Sequence, residues 1–309
     1  MKGSGNFLVA FNKLLVTEDG MPRTYLVTGS ASGIGKAILL RLRDEGYRVI
    51  GVDLKDADIC VDISLPEGRK ELTERAGELT DGRLDAVIAC AGVREFSPRT
   101  VQVNYFGTVA TLEGLRPMLA LGENPRAVAV SSMACIHDYD SGVVKSCLAE
   151  DEGAAVAASE KVPNEDVTLL YGSSKVALSK WIRRTAISQE WAGYGIPLNA
   201  IAPGIVVTPM AQPLFDDPAA REVLEHCPMP LSGFAEPEQV ASLLAWLTSP
   251  ENTHLTGQIL FIDGGAEVSW QPDALTWASA GEPRHRTFLR RLHGRLGRIG
   301  QLATPSKRR

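Results

Sequence analysis

A tyrosine followed four positions later by a lysine opens the chemistry of this chain. In Tyr171-Gly-Ser-Ser-Lys175 the spacing is i to i+4, and among the six tyrosines no other has it. On a helix the two positions share a face, so an ammonium stands beside a phenol. A phenol ordinarily ionises near ~10 and needs help to move protons at neutral pH. One cation at about 4 Å supplies roughly 4 kcal/mol at an effective dielectric of about 20, which is the help required. A surface Tyr–Lys pair would look the same in isolation, so the partners matter. Ser131 and Ser132 end an apolar run, and a hydroxyl there could hold a substrate oxygen while Tyr171 moves its proton. Ser132 is the favoured one of the two. Asn104 is a polar residue inside an apolar helical stretch, and its amide could anchor a water beside Lys175.

A second constellation reads as a dinucleotide cradle. Thr28-Gly29-Ser-Ala-Ser32-Gly33-Ile34-Gly35 lies between an apolar strand pattern and a helical one. Glycines allow a tight turn and close approach of the backbone to a pyrophosphate, and the helix N-terminus offers unpaired N–H groups. Asp53 falls eighteen residues after Gly35, at the end of the next strand pattern, where a carboxylate meets ribose hydroxyls and repels a 2′-phosphate. NAD is therefore expected over NADP. Asp62 and Ile63 follow a third strand and are candidates for the adenine. Ala91 and Gly92 close a fourth, where larger side chains would crowd a cofactor.

The elements that must hold these residues alternate. Strands are expected at Tyr25–Val27, Arg48–Val52, Ile59–Val61, Leu84–Cys90, Arg126–Ser131, Pro197–Ile201 and Gln258–Ile262. Helices are expected at Ile34–Glu45, Glu67–Leu79, Val101–Leu121, Tyr171–Trp191 and Pro237–Thr248. Such alternation predicts an α/β protein with three layers, a Rossmann-type doubly wound parallel sheet of about seven strands. Residues 21–270 form one domain. Residues 135–170 lack clean periodicity and read as an insertion; 1–20 and the Arg-rich 271–309 read as extensions.

With these motifs in view, the chain resembles the short-chain dehydrogenase/reductase family over residues 24–268. The resemblance is carried by the glycine loop, Asp53, Cys90-Ala91-Gly92, Asn104, Ser132, Tyr171 with Lys175, Ala202-Pro203-Gly204 and Asp263-Gly264-Gly265. Within the family it is similar to the bacterial 3α-hydroxysteroid dehydrogenase/carbonyl reductase group, through Val103-Asn-Tyr-Phe-Gly107, Glu67-Gly-Arg-Lys70, Leu198–Gly204 and the long gap between Ser132 and Tyr171. The resemblance implies NAD-dependent interconversion of a secondary alcohol and a ketone, with Asn104, Ser132, Tyr171 and Lys175 as the catalytic tetrad. It also implies that Pro203, Gly204 and Thr208 seat the nicotinamide, and that the insertion forms the contact of a homodimer. Cys90 stands where many members have Asn. Alternatives are an aromatic or cyclic alcohol dehydrogenase of the same family, or a dinucleotide-binding regulatory protein without catalysis.

Composition excludes several classes. The 309 residues are 44% hydrophobic and 22% charged, too apolar for a disordered chain. Five cysteines, odd in number and without a CxxC, exclude a disulfide scaffold and suggest reduced thiols in the cytoplasm; no metal site is expected. The longest stretch without a charge, Trp191–Phe215, is broken by four prolines, so no membrane span is expected. The first twenty residues make no convincing signal peptide. Residues 281–309 carry nine Arg or Lys against one acid, leaving the rest of the chain more acidic than the net charge of −5 implies. An acidic body is not expected to bind nucleic acid.

Overall fold

The computed structural model describes Thr17 and residues 20–163, 167–231 and 233–273. The strands are β1 (Thr24–Thr28), β2 (Arg48–Asp53), β3 (Ile59–Cys60), β4 (Ala86–Ala89), β5 (Arg126–Val130), β6 (Leu198–Pro203) and β7 (Ile259–Ile262). They form one all-parallel sheet in the order β3-β2-β1-β4-β5-β6-β7. Every residue of β4, β5 and β6 is buried, as continuous apolar runs covered on both faces require. The order reverses between β1 and β4, which opens a crevice at the strands' carboxyl ends.

Alternation along β1 assigns the two cores. Tyr25 and Val27 face a layer containing α1 (Gly33–Asp44) and the later helix Pro237–Thr248. Leu26 faces the opposite layer, which contains α2 (Pro66–Thr80), the α3 unit and the long helix of Tyr171. The α3 unit runs from Arg99–Val101 through a π-helical segment, Gln102–Gly107, into Thr108–Leu119.

Residues 135–170 hold more order than their sequence suggests. A 3₁₀ turn, Met133–Ile136, leads to α4 (Ser141–Leu148) and α5 (Glu152–Ser159). Asp140 and Asp151 cap them, accepting from Val143 N (2.9 Å) and Ala154 N (2.8 Å). Then comes α6 (Val167–Thr185), on which α4 packs. This helix starts and stops earlier than the expected Tyr171–Trp191. The chain turns after Thr185 because Trp191 is fully buried, with Nε1 donating to Glu113 Oε1 at 3.0 Å.

After β6 come α7 (Gln212–Asp216), α8 (Pro218–Glu225), α9 (Pro237–Thr248), which has the expected bounds, and, past β7, α10 (Ala266–Trp270). No described helix is long and apolar enough to cross a membrane. Residues 1–16, 18–19 and 274–309, and with them the basic tail, lie outside the described residues.

Candidate active site

The carboxyl edge of the sheet holds a cleft of about 380 Å³. Its glycine loop is built by close approach. A Cβ on Gly29 would stand 2.9 Å from the Ala91 backbone, and one on Gly35 only 2.0 Å from the Gly29 carbonyl oxygen. The loop after β1 is thereby laid against the loop after β4. Thr28 Oγ1 fastens the pair, accepting from Cys90 N (3.1 Å) and Ala91 N (3.0 Å). Ser32 takes the N-cap position of α1 without a capping hydrogen bond, and no acidic residue stands in the first turn. The N–H groups of that turn stay available to an anion.

Asp53 ends β2 within the same cleft; its Oδ2 accepts from Ala31 N at 2.9 Å. Asp62 and Ile63 line the wall beside it. The Asp62 carboxylate accepts from Ser64 N at 2.9 Å and pairs with Arg99 at 3.3 Å. Burial would raise its pKa, but the Ser64 hydrogen bonds and Arg99 hold it below the usual carboxylate value. Gly33, Ile34, Pro203, Gly204 and Thr208 also line the cleft. Thr208 approaches Gly33 so closely that a Cβ there would lie 3.2 Å from Thr208 Cγ2. A cradle without side chains, a helix N-terminus and a strand-end carboxylate together fit a dinucleotide.

Ser132 follows β5, and its Oγ accepts from Ala134 N at 3.2 Å. Ser131 is the inward one: its Oγ is buried against Ser179 Oγ at 2.8 Å and Lys175 O at 3.4 Å. Ser132 is thus the serine on the side of Tyr171. Burial raises the Tyr171 pKa above that of a free phenol, against opposing effects of a Ser132 hydrogen bond and the Arg94 charge.

That direction corrects the sequence expectation of a phenol made acidic by Lys175. The lysine does share the helix face, with Nζ 5.7 Å from the Tyr171 ring centroid. However, Nζ donates to Val130 O at 2.8 Å, and burial lowers its own pKa to about 8. Burial is the largest influence on both groups and disfavours the charged form of each.

Asn104 stands on the other side of this pair. It is fully buried in the π-helical segment. Its Nδ2 donates to Val93 O (2.9 Å) and Ser174 Oγ (3.1 Å), and its Oδ1 accepts from Val93 N (2.8 Å). The amide thus clamps the loop after Gly92, with one lone pair of Oδ1 left over. A Cβ on Gly92 would lie 3.3 Å from Asn104 Oδ1 and 3.6 Å from Lys175 Nζ, so all three still meet at one point.

The family model described as short chain dehydrogenase matches residues 23–147, and one described as enoyl-(acyl carrier protein) reductase matches residues 143–267. The 3-alpha-hydroxysteroid dehydrogenase/carbonyl reductase of Comamonas testosteroni is 33% identical over 255 residues, 80% of this chain and 97% of that protein. The chain is a short-chain dehydrogenase/reductase. This family member is also similar to a solved 3-alpha-hydroxysteroid dehydrogenase from Pseudomonas sp. B-0831 in complex with NADH. The two are 36% identical with a TM-score of 0.76, over 82% of this chain and 100% of that one. A tropinone reductase homolog of Arabidopsis thaliana is 32% identical over 272 residues, 81% of this chain and 96% of that protein. The dehydrogenase/reductase is therefore an oxidoreductase, and a nicotinamide cofactor suits its cleft.

Sequence reasoning missed the task of the Thr28 hydroxyl, the Val93–Arg94 loop and Met133, which lines the cleft together with Met210, Leu214 and Leu224 of residues 209–227, where selectivity is expected. Loop residues carry no periodicity, so nothing in their spacing marked them. Cys90 also lines the cleft, but burial pushes its thiol up to about 12, which makes it an inert neighbour.

Proposed function

We propose that this chain is an NAD(H)-dependent oxidoreductase that interconverts a ketone and a secondary alcohol on a bulky apolar substrate of the hydroxysteroid kind. The observation that carries the reading is the convergence of Ser132, Tyr171 and Lys175 with the glycine loop and Asp53 on one cleft. NAD rather than NADP follows from the Asp53 carboxylate, which repels a 2′-phosphate. The NADH-bound hydroxysteroid dehydrogenase noted above supports the same choice.

The nicotinamide supplies or accepts the hydride when bound. The remaining work belongs to the protein. Ser132 holds the substrate oxygen, and Tyr171 exchanges its proton with that oxygen. With burial keeping Tyr171 protonated, the phenol is set up as the acid for carbonyl reduction at neutral pH. Oxidation needs the phenolate and is favoured by higher pH. Lys175 places positive charge beside the phenolate formed in that direction. Asn104 is a positioning residue, holding the Val93 backbone and Ser174 next to Lys175. Met133, Met210, Leu214 and Leu224 offer the apolar wall that excludes water from the reacting oxygen. In this reading the protein acts in the cytoplasm as a homodimer on a small-molecule alcohol or ketone, with no nucleic acid expected and no membrane span.

The test is Tyr171→Phe. Turnover of hydroxysteroids and related ketones should fall by about 10³-fold, while NADH affinity stays within about twofold of the parent, and the parent should prefer NADH to NADPH. Substantial activity in the variant, a preference for NADPH, or NADH binding without turnover of any such substrate by the parent would overturn the reading.

A further inference from the structure

The end of the cleft remote from the reaction carries a charge pair that the chemistry does not use. In the sheet order β3-β2-β1-β4-β5-β6-β7, Ser132 follows β5 and Pro203 ends β6. Asp53 ends β2 and Asp62 follows β3, at the other side of the sheet. Arg99 begins the α3 unit and meets Asp62 there.

The pair is held from both sides. Asp62 Oδ1 accepts from Ser64 N at 2.9 Å, and its Oδ2 accepts from Arg99 Nη2 at 3.3 Å. Arg99 Nη1 donates to Glu95 Oε1 at 3.2 Å. Glu95 is itself fixed by the buried Thr100, whose Oγ1 accepts from Glu95 N at 3.2 Å and donates to Glu95 O at 2.6 Å. Two of the five N–H groups of the guanidinium are spent, and each Asp62 oxygen keeps a lone pair. Both side chains line the cleft, beside Leu54, Val61 and Ile63, and each is about a third exposed, at 31% and 32%. An anionic acceptor and a cationic donor with bonds to spare thus stand side by side at the adenosine end. An asparagine or glutamine amide presents the same acceptor and donor when it reads adenine, whose edge sets an amino group beside a ring nitrogen. Hypoxanthine has a carbonyl in place of that amino group and would turn an acceptor towards the Asp62 carboxylate.

We infer that Arg99 is a specificity-determining residue for the purine of the dinucleotide: Asp62 accepts from the adenine amino group, and Arg99 donates to the ring nitrogen beside it. The inference rests on the proposed dinucleotide cofactor and adds the side chain that reads its base. Glu95 and Thr100 are positioning residues that hold the guanidinium against the carboxylate.

The test is a set of dissociation constants, measured by nicotinamide fluorescence without substrate. The probes are NADH, reduced nicotinamide hypoxanthine dinucleotide, and the 1-deaza and 7-deaza adenine analogues of NADH, each lacking one ring nitrogen beside the amino group. The parent should bind NADH about tenfold or more tighter than the hypoxanthine dinucleotide and than at least one deaza analogue, the margin of a hydrogen bond to a charged group. Arg99→Met should weaken NADH about tenfold yet leave one such deaza analogue within about twofold, so that its penalty disappears. Arg99→Lys should restore part of that penalty. Reduced nicotinamide mononucleotide, which has no adenosine, should bind the parent and Arg99→Met within about twofold of each other. A uniform loss across the four dinucleotides in Arg99→Met, deaza penalties that survive it, or weakened mononucleotide binding overturns the inference and leaves the cofactor reading standing. A parent that binds none of the dinucleotides overturns both.

Discussion

Lys175 is only 3% exposed, and burial lowers its pKa from 10.5 to about 8. The unfolded chain therefore binds this proton more tightly than the folded one does. Between pH 8 and about 10.5 the contribution of Lys175 to stability rises with pH, and below pH 8 the full penalty stands, about 3 kcal/mol. The bond from Nζ to the Val130 carbonyl offsets part of it, by about 1–2 kcal/mol. Lys175→Met removes both the penalty and the bond. The variant should be inactive yet about 1–2 kcal/mol more stable than the parent at pH 7. That advantage should vanish by about pH 10, where the folded lysine is neutral and only the unfolded chain still holds most of the proton. Urea unfolding of the two proteins at both pH values measures it, and an equal difference at pH 7 and pH 10 would contradict the argument. The pairing of Tyr171 with Lys175 was readable in the sequence because helix periodicity alone decides it. The direction of the Tyr171 shift was not, since it depends on how deeply the tertiary fold buries the phenol.

Elements show the same division. The seven strands and the helices flanking them were legible because each buries a continuous or periodic apolar set, and α9 kept its expected bounds because Pro237 and a Glu236–Gln239 capping box fix its start. α4 and α5 are eight residues each, and α5 is nearly all small residues, so neither carries a periodic stripe long enough to read. What secures α5 is a long-range contact. Arg69 on α2 meets Glu152 at 2.6 and 2.9 Å and also donates to the carbonyls of Ile63 (2.7 Å), Ser64 (2.9 Å) and Gln102 (3.3 Å). One half-buried guanidinium thus ties the insertion to the turn carrying Asp62 and Ile63 and to the π-helical segment of Asn104. Breaking it should cost about 1.5–3 kcal/mol, the range for hydrogen bonds to a charged group, because both side chains keep some contact with water. Arg69→Ala should accordingly lower the unfolding midpoint and raise the KM for NADH more than it lowers kcat, through a loosened Asp62–Ile63 turn. An unchanged KM for NADH alongside lost stability would leave Arg69 a purely structural residue.

At the scale of the whole molecule, α5 carries the proposed assembly. Ala155 and Ser159 turn inward, whereas Gly153, Ala154 and Ala157 stand exposed on the opposite side. Small side chains on an exposed helix face let a second backbone approach closely, at little cost in side-chain entropy. The same helix begins at Glu152, the partner of Arg69, so a subunit contact there would reach the cleft through the Ile63 and Gln102 carbonyls. In light scattering at micromolar concentration the parent should show twice the chain mass of 33.3 kDa. Ala157→Arg places a long charged side chain on that face and should yield a monomer with unchanged far-ultraviolet circular dichroism. It should also raise the KM for NADH by several-fold, as the helix that anchors Arg69 loses its covering partner. A parent that runs as a monomer, or a variant that stays dimeric, would move the subunit contact off α5 and uncouple assembly from the cleft.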